Sequence, residues 1–137
     1  MIDDAAVRAV LNSIIDPCSR AAGVPAGIVE MGLIRTLEVR QDPAGASITV
    51  TIRVTEPGCL MAYPFANEAR KRLETLPGVA SVDVKIDRVC DWEPAAMSPE
   101  YRARLEAHRV QRRQAVGIHF VPHEEHVRLR KRSTGRA

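Results

Sequence analysis

Apolar positions recur at helical spacing through residues 4–15, where Val7, Val10, Leu11, Ile14 and Ile15 fall on one side. Asp3 or Asp4 suits the start of this helix, because an acidic side chain there accepts orphan backbone N–H groups. Asp16-Pro17 stops it, since the residue before proline avoids the α region. Residues 17–27 carry two prolines and two glycines and read as a loop. The period then changes to two. Leu33, Leu37 and Val39 alternate with polar residues over 33–40, with Ile34 breaking the strictness, and Ile48, Val50, Ile52 and Val54 do so over 47–54. A Pro- and Gly-bearing turn joins the two runs, so they predict a β-hairpin with one buried face. Helical spacing returns over 60–76, with Leu60, Met61, Phe65, Ala69, Leu73 and Leu76 on one side and Lys71 and Arg72 away from it. Pro77-Gly78 ends that helix. Val82, Val84 and Ile86 then alternate within a third strand over 79–89.

The order is α-β-β-α-β. A strand reached through a helical crossover runs parallel to a hairpin strand. The expected fold is therefore α+β, a two-layer domain with a small mixed three-stranded sheet. Residues 91–99 are irregular, and Ser98 and Pro99 suit the cap and first turn of a charged C-terminal helix over 99–115. The expected division is a domain over residues 1–107, followed over 108–137 by the charged helix end and a basic tail that is mobile or ordered by a partner.

Composition adds limits. Of 137 residues, 45% are hydrophobic but only 4% aromatic, so the core must be aliphatic. No run approaches the roughly 20 apolar residues of a membrane span, and the N-terminus is acidic at once. These features point to a cytoplasmic protein with no membrane partner. Residues 1–100 hold 10 Lys/Arg and 14 Asp/Glu, net −4, whereas residues 101–137 hold 10 and 3, net +7. The basic end, with Arg128, Arg130, Lys131 and Arg132, suits an acidic protein partner. No nucleic-acid motif accompanies it, which argues against nucleic acid.

Three cysteines, Cys18, Cys59 and Cys90, are an odd number without CxxC spacing, so a disulfide framework is not indicated. Buried thiols, a reactive thiol or soft metal ligands remain. Cys59 lies between the second strand and the second helix, after Gly58, which permits a positive-φ turn or close ligand approach. A nearby helix N-terminus favours the thiolate, the form that binds soft metals. Pro64 has no N–H to donate, which sets the helix start near Tyr63 and Cys59 in a short loop. The alternative is a small buried hydrophobe. Parallel second and third strands would put Cys59 and Cys90 at one sheet edge. Cys18 could join them, with Asp16, a histidine or a second subunit as fourth ligand, although incidental Cys18 and Cys90 is the simpler reading. Iron–sulfur clusters commonly take four cysteines, and a homodimer bridging a cluster through Cys59 would make up the shortage. His119, His123 and His126 are spaced by four and three, but Pro122 interrupts them. There is no phosphate loop, nucleophile elbow or HExxH, and no histidine before His108 to serve Cys59 as a base, so an enzyme is not expected.

Five segments occur in one order: Asp16-Pro17, Ile28–Val39, the turn Thr55–Cys59, Leu76–Val79, and Trp92–Ser98. Over residues 5–107 the chain resembles the small iron–sulfur cluster assembly domain of SufT, PaaD and the eukaryotic cytosolic targeting factors. The resemblance implies a maturation factor that delivers or helps insert clusters into client enzymes. Its characteristic cysteine matches Cys59, its Asp-Pro matches Asp16-Pro17 and its turn threonine matches Thr55, so Asp16, Thr55 and Gly58 would shape the pocket. The cofactor implied is a transient iron–sulfur cluster. The partners implied are a client apo-enzyme or the assembly machinery. The alternative kept beside it is a non-catalytic adaptor for a client such as a multicomponent monooxygenase, with structural cysteines. Two departures stand out: Leu60 replaces the proline usual after the cysteine, and the Cys18–Gly27 link is long.

Overall fold

A computed structural model describes residues 2–55, 58 and 60–117. It contains helix α1 (Asp4–Asn12), helix α2 (Pro17–Ala21), strands β1 (Ile34–Asp42) and β2 (Gly45–Arg53), helix α3 (Ala62–Glu74), strand β3 (Val79–Asp87), a 3₁₀ turn at Pro94–Ala96 and helix α4 (Pro99–Val116). Asp3 caps α1 by accepting from the Ala6 N–H at 2.8 Å.

The expected loop at 17–27 is in part a helix, and this corrects the sequence reading. Pro17 occupies the first helical position, where its missing N–H costs nothing. The Asp16 side chain accepts from the Ser19 N–H at 3.0 Å. The Ser19 hydroxyl donates back to the Asp16 carbonyl at 2.6 Å and accepts from the Ala26 N–H at 2.8 Å. These local bonds hold a five-residue helix that has too few apolar residues to show a period.

The sheet order is β1-β2-β3, with β1 antiparallel to β2 and β2 parallel to β3. The α+β class with a mixed sheet is as the pattern predicts. Alternation along β2 sends Ala46, Ile48, Val50 and Ile52 to the buried face. There they meet α3 through Phe65, Ala69 and Leu73, and α1 through Val7 and Leu11. The opposite face is polar, with Thr49 flanked by Glu38 of β1 and Asp83 of β3. Gly27 lies so close to the end of α1 that a Cβ there would fall 1.9 Å from the Asn12 carbonyl oxygen.

A second cluster joins Val24 and Ala26 to Met97 and Tyr101. Ser98 caps α4 as expected, accepting from the Tyr101 N–H at 3.1 Å. The Tyr101 hydroxyl donates to the Val24 carbonyl at 2.8 Å. By internal packing the chain divides between Leu105 and Glu106.

Candidate functional site

Strand β2 ends at Arg53, and the chain turns through Val54, Thr55 and Gly58 toward α3. Gly58 has φ of 75°, a conformation natural to glycine. Helix α3 begins at Ala62, one residue before the Tyr63 start inferred from Pro64, and Pro64 sits in its first turn. Its N-cap, Met61, makes no side-chain capping bond, though the Phe65 N–H donates to the Met61 carbonyl at 3.0 Å.

A cavity of about 590 Å³ lies at this turn. Its wall is mostly apolar, including Met31, Leu33, Phe65 and Trp92. Set into it are Asp16, Cys18, Arg53, Thr55, Gly58 and Leu60. The fold thus brings Asp16, Cys18, Thr55 and Gly58 to one space. Asp16 is buried, and its carboxylate both caps α2 and borders the cavity.

Cys90 does not line that cavity; its Sγ donates to the Arg88 carbonyl at 3.4 Å. Cys18 and Cys90 are both free and exposed, so neither is the buried structural thiol of the adaptor reading. Cys59, the tail histidines His119, His123 and His126, and the basic residues Arg128, Arg130, Lys131 and Arg132 lie outside the described residues. Gly58 and Leu60, the sequence neighbours of Cys59, both line the cavity. Among the described residues, no group of three or more His, Cys, Asp or Glu could hold a metal ion. Among the described lining residues, Cys18 and Asp16 alone offer thiolate and carboxylate donors, so a cluster handled at this site as cargo would need further ligands.

Three residues to which sequence reasoning gave no role in the site supply its charge and rigidity. Arg53, the last residue of β2, is the cation among the described lining residues. Arg35 is the extra residue of a bulge, because Ile34 pairs with Ile52 and Thr36 with Thr51. The bulge lets Arg35 form ion pairs with Asp87 and Asp91. The hydrogen bond from Arg35 holds the Asp91 carboxyl below the usual carboxylate range, and the same bond raises the Arg35 pKa. Arg53 Nη1 is 4.0 Å from Asp91, while its Nε is buried without a hydrogen-bond partner. Trp92 is anchored by donating from Nε1 to the Met31 carbonyl at 2.7 Å. The sequence signals were the break in alternation at Ile34-Arg35 and the place of Trp92 at the head of the last ordered segment.

Residues 4–85, more than half of the chain, match the family described as iron–sulfur cluster assembly protein. The chain belongs to that family. A relative in Porphyromonas gingivalis, an Fe–S protein maturation auxiliary factor, is 28% identical over 96 residues, covering 70% of this chain and 84% of its own. An iron–sulfur cluster carrier protein of Synechocystis is 30% identical over 86 residues, which is 63% of this chain but only 22% of that protein. The crystal structure of the domain of unknown function DUF59 from Bacillus anthracis superposes with a TM-score of 0.60 at 28% identity, covering 75% of this chain and 91% of that one. The family assignment and the α+β fold thus agree with the resemblance read from the ordered motifs. Among the described residues, no helix is long and apolar enough to cross a membrane.

Proposed function

We propose that this member of the family is a non-catalytic maturation factor that delivers, or helps insert, iron–sulfur clusters into client enzymes through Cys59. The observation that carries the reading is the convergence of Asp16, Thr55, Gly58 and Leu60 on one largely apolar cavity, with Cys59 between two of its lining residues in sequence. A thiolate bordering an apolar space suits a soft, sulfur-rich cargo better than a hydrated ion. The cluster is cargo held in passing. The partners are the assembly machinery and a client apo-enzyme, and the compartment is the cytoplasm. The names of the two relatives support the same role. The basic residues Arg128, Arg130, Lys131 and Arg132 are assigned to gripping an acidic client.

The test pairs wild type with Cys59→Ser, a change that removes the thiol but little volume. Activation of a client apo-enzyme is expected to fail with the variant, while its circular dichroism and Tm stay at wild-type values. Normal activation by Cys59→Ser would sink the proposal. An adaptor role keeps one observation on its side: Leu60, next to Cys59 in sequence, is 88% exposed, and Tyr63 is exposed as well. Exposed apolar side chains of this kind suit protein docking. Client binding that survives Cys59→Ser but fails in Leu60→Asp would favour the adaptor.

A further inference from the structure

Away from the cavity, the sheet ends on β3. Among the described residues β3 pairs with β2 alone, and residues 80–87 make no backbone hydrogen bond outside that ladder. An edge of this kind presents a row of open N–H and C=O groups on which a further strand can pair. Val82, Val84 and Ile86 lie on the face that carries the helices, beside Ile48, Val50 and Ile52, yet they are only partly buried. Ser81, Asp83 and Lys85 alternate onto the other face and are exposed. The apolar layer thus runs up to the edge without being closed there. The opposite edge is guarded: β1 is interrupted by its bulge at Arg35, and Gln41 donates to the Ile2 carbonyl at 2.6 Å. The pairing of residues 81–87 with β2 carries no bulge.

Charge then selects the occupant. Two copies of β3 running antiparallel about a two-fold axis at Val84 set each copy's Asp83 against the other's Lys85, so the attraction occurs twice. The same register sets Val82 against Ile86 on the helix-bearing face, and Val84 against itself. Moving the axis to Asp83 or to Lys85 opposes like charges, which is destabilising. An axis between two residues sets the apolar face of one copy beside the polar face of the other. Within one chain Lys85 Nζ is 3.8 Å from Asp83, both exposed, and a pair of that kind contributes little, so trading it for the cross-strand pairs costs little. Lysine on an edge strand also discourages chance pairing, and here only a strand with a matching carboxylate relieves it. We infer that two copies of this chain join edge to edge through β3, in antiparallel register about Val84, to form one six-stranded sheet with both sets of helices on the same face. The contact is isologous and closes at two copies. It is independent of the role proposed for Cys59.

The experiment is sedimentation equilibrium of the full chain, from micromolar to millimolar concentration and at low and high salt. Wild type is expected to dimerise, more weakly at high salt. Asp83→Lys and Lys85→Asp each turn two attractive pairs into two repulsive ones, and each is expected to raise the dissociation constant by about 10-fold or more. An equal mixture of these two variants is expected to form the mixed dimer, because each supplies the charge that the other lacks. The double variant Asp83→Lys/Lys85→Asp is expected to regain wild-type affinity. Both substituted side chains are exposed, and circular dichroism and Tm check that every variant is folded. A wild type that stays monomeric at every concentration overturns the inference and leaves the edge to an extended segment of another protein. Dimerisation that ignores the single variants, or that the mixture fails to restore, puts the contact on another surface and overturns it as well.

Discussion

Asp16 does two jobs with one carboxylate, capping α2 and bordering the cavity, and the two can be separated. Asn caps as well as Asp, whereas Ala does not. Asp16→Ala is therefore expected to lower stability by about 1 kcal/mol, within the usual range for a lost cap. Asp16→Asn should unfold at the wild-type Tm in a thermal melt. If the Asn variant melts as early as the Ala variant, charge rather than capping holds this turn. Gly27 is the sharper case. An added methyl would overlap the Asn12 backbone, which sits between α1 and the segment it feeds. Gly27→Ala is expected to exceed the roughly 1–3 kcal/mol typical of overpacking, seen as a large fall in denaturation midpoint. A midpoint within experimental error of wild type would show that the two segments can separate freely.

At the scale of elements, the regular strands were legible because alternation is short-range: β2 sends every second residue inward and its sequence says so. The parallel pairing of β2 with β3 followed from the crossover through α3. Helix α2 was not legible, because a proline, a glycine-rich flank and five residues carry no period. It exists through the side chains of Asp16 and Ser19. The β1 bulge was equally hidden, since one extra residue shows only once the partner strand is known. That bulge makes an acid-sensitive contact. Asp91 is held below the usual carboxylate range by Arg35, so the folded state binds its proton less readily than the unfolded chain does. Its contribution is complete above the ordinary carboxylate pKa and is lost as pH falls through the lowered value. Arg35 stays protonated throughout this window. Both groups are partly exposed, so solvent screens the pair and the effect is small. Acid denaturation curves of wild type and Asp91→Asn should differ at neutral pH and converge at the acid end. Parallel curves at all pH values would mean that the pair adds nothing.

For the whole molecule, we propose that residues 1–107 form the working domain and residues 108–137 an appended basic segment. The division of packing between Leu105 and Glu106 supports this. A chain ending at residue 107 is expected to keep its cooperative melt while losing affinity for an acidic client, measured by titration at two salt concentrations. Loss of the cooperative melt would show that the C-terminal segment is needed for folding. The candidate site was legible only in pieces. Asp16, Thr55, Gly58 and Trp92 fall in the ordered motifs, but Trp92 carried no assigned role there, and Arg53 joins them only through tertiary packing. The walls of the cavity come from Asp16 and Cys18, from Met31 and Leu33, from the stretch between Arg53 and Phe65, and from Trp92. No two neighbouring segments enclose it alone. A nascent chain still lacking Trp92 therefore lacks one wall of this chamber, so the cavity is complete only once synthesis has run past that residue.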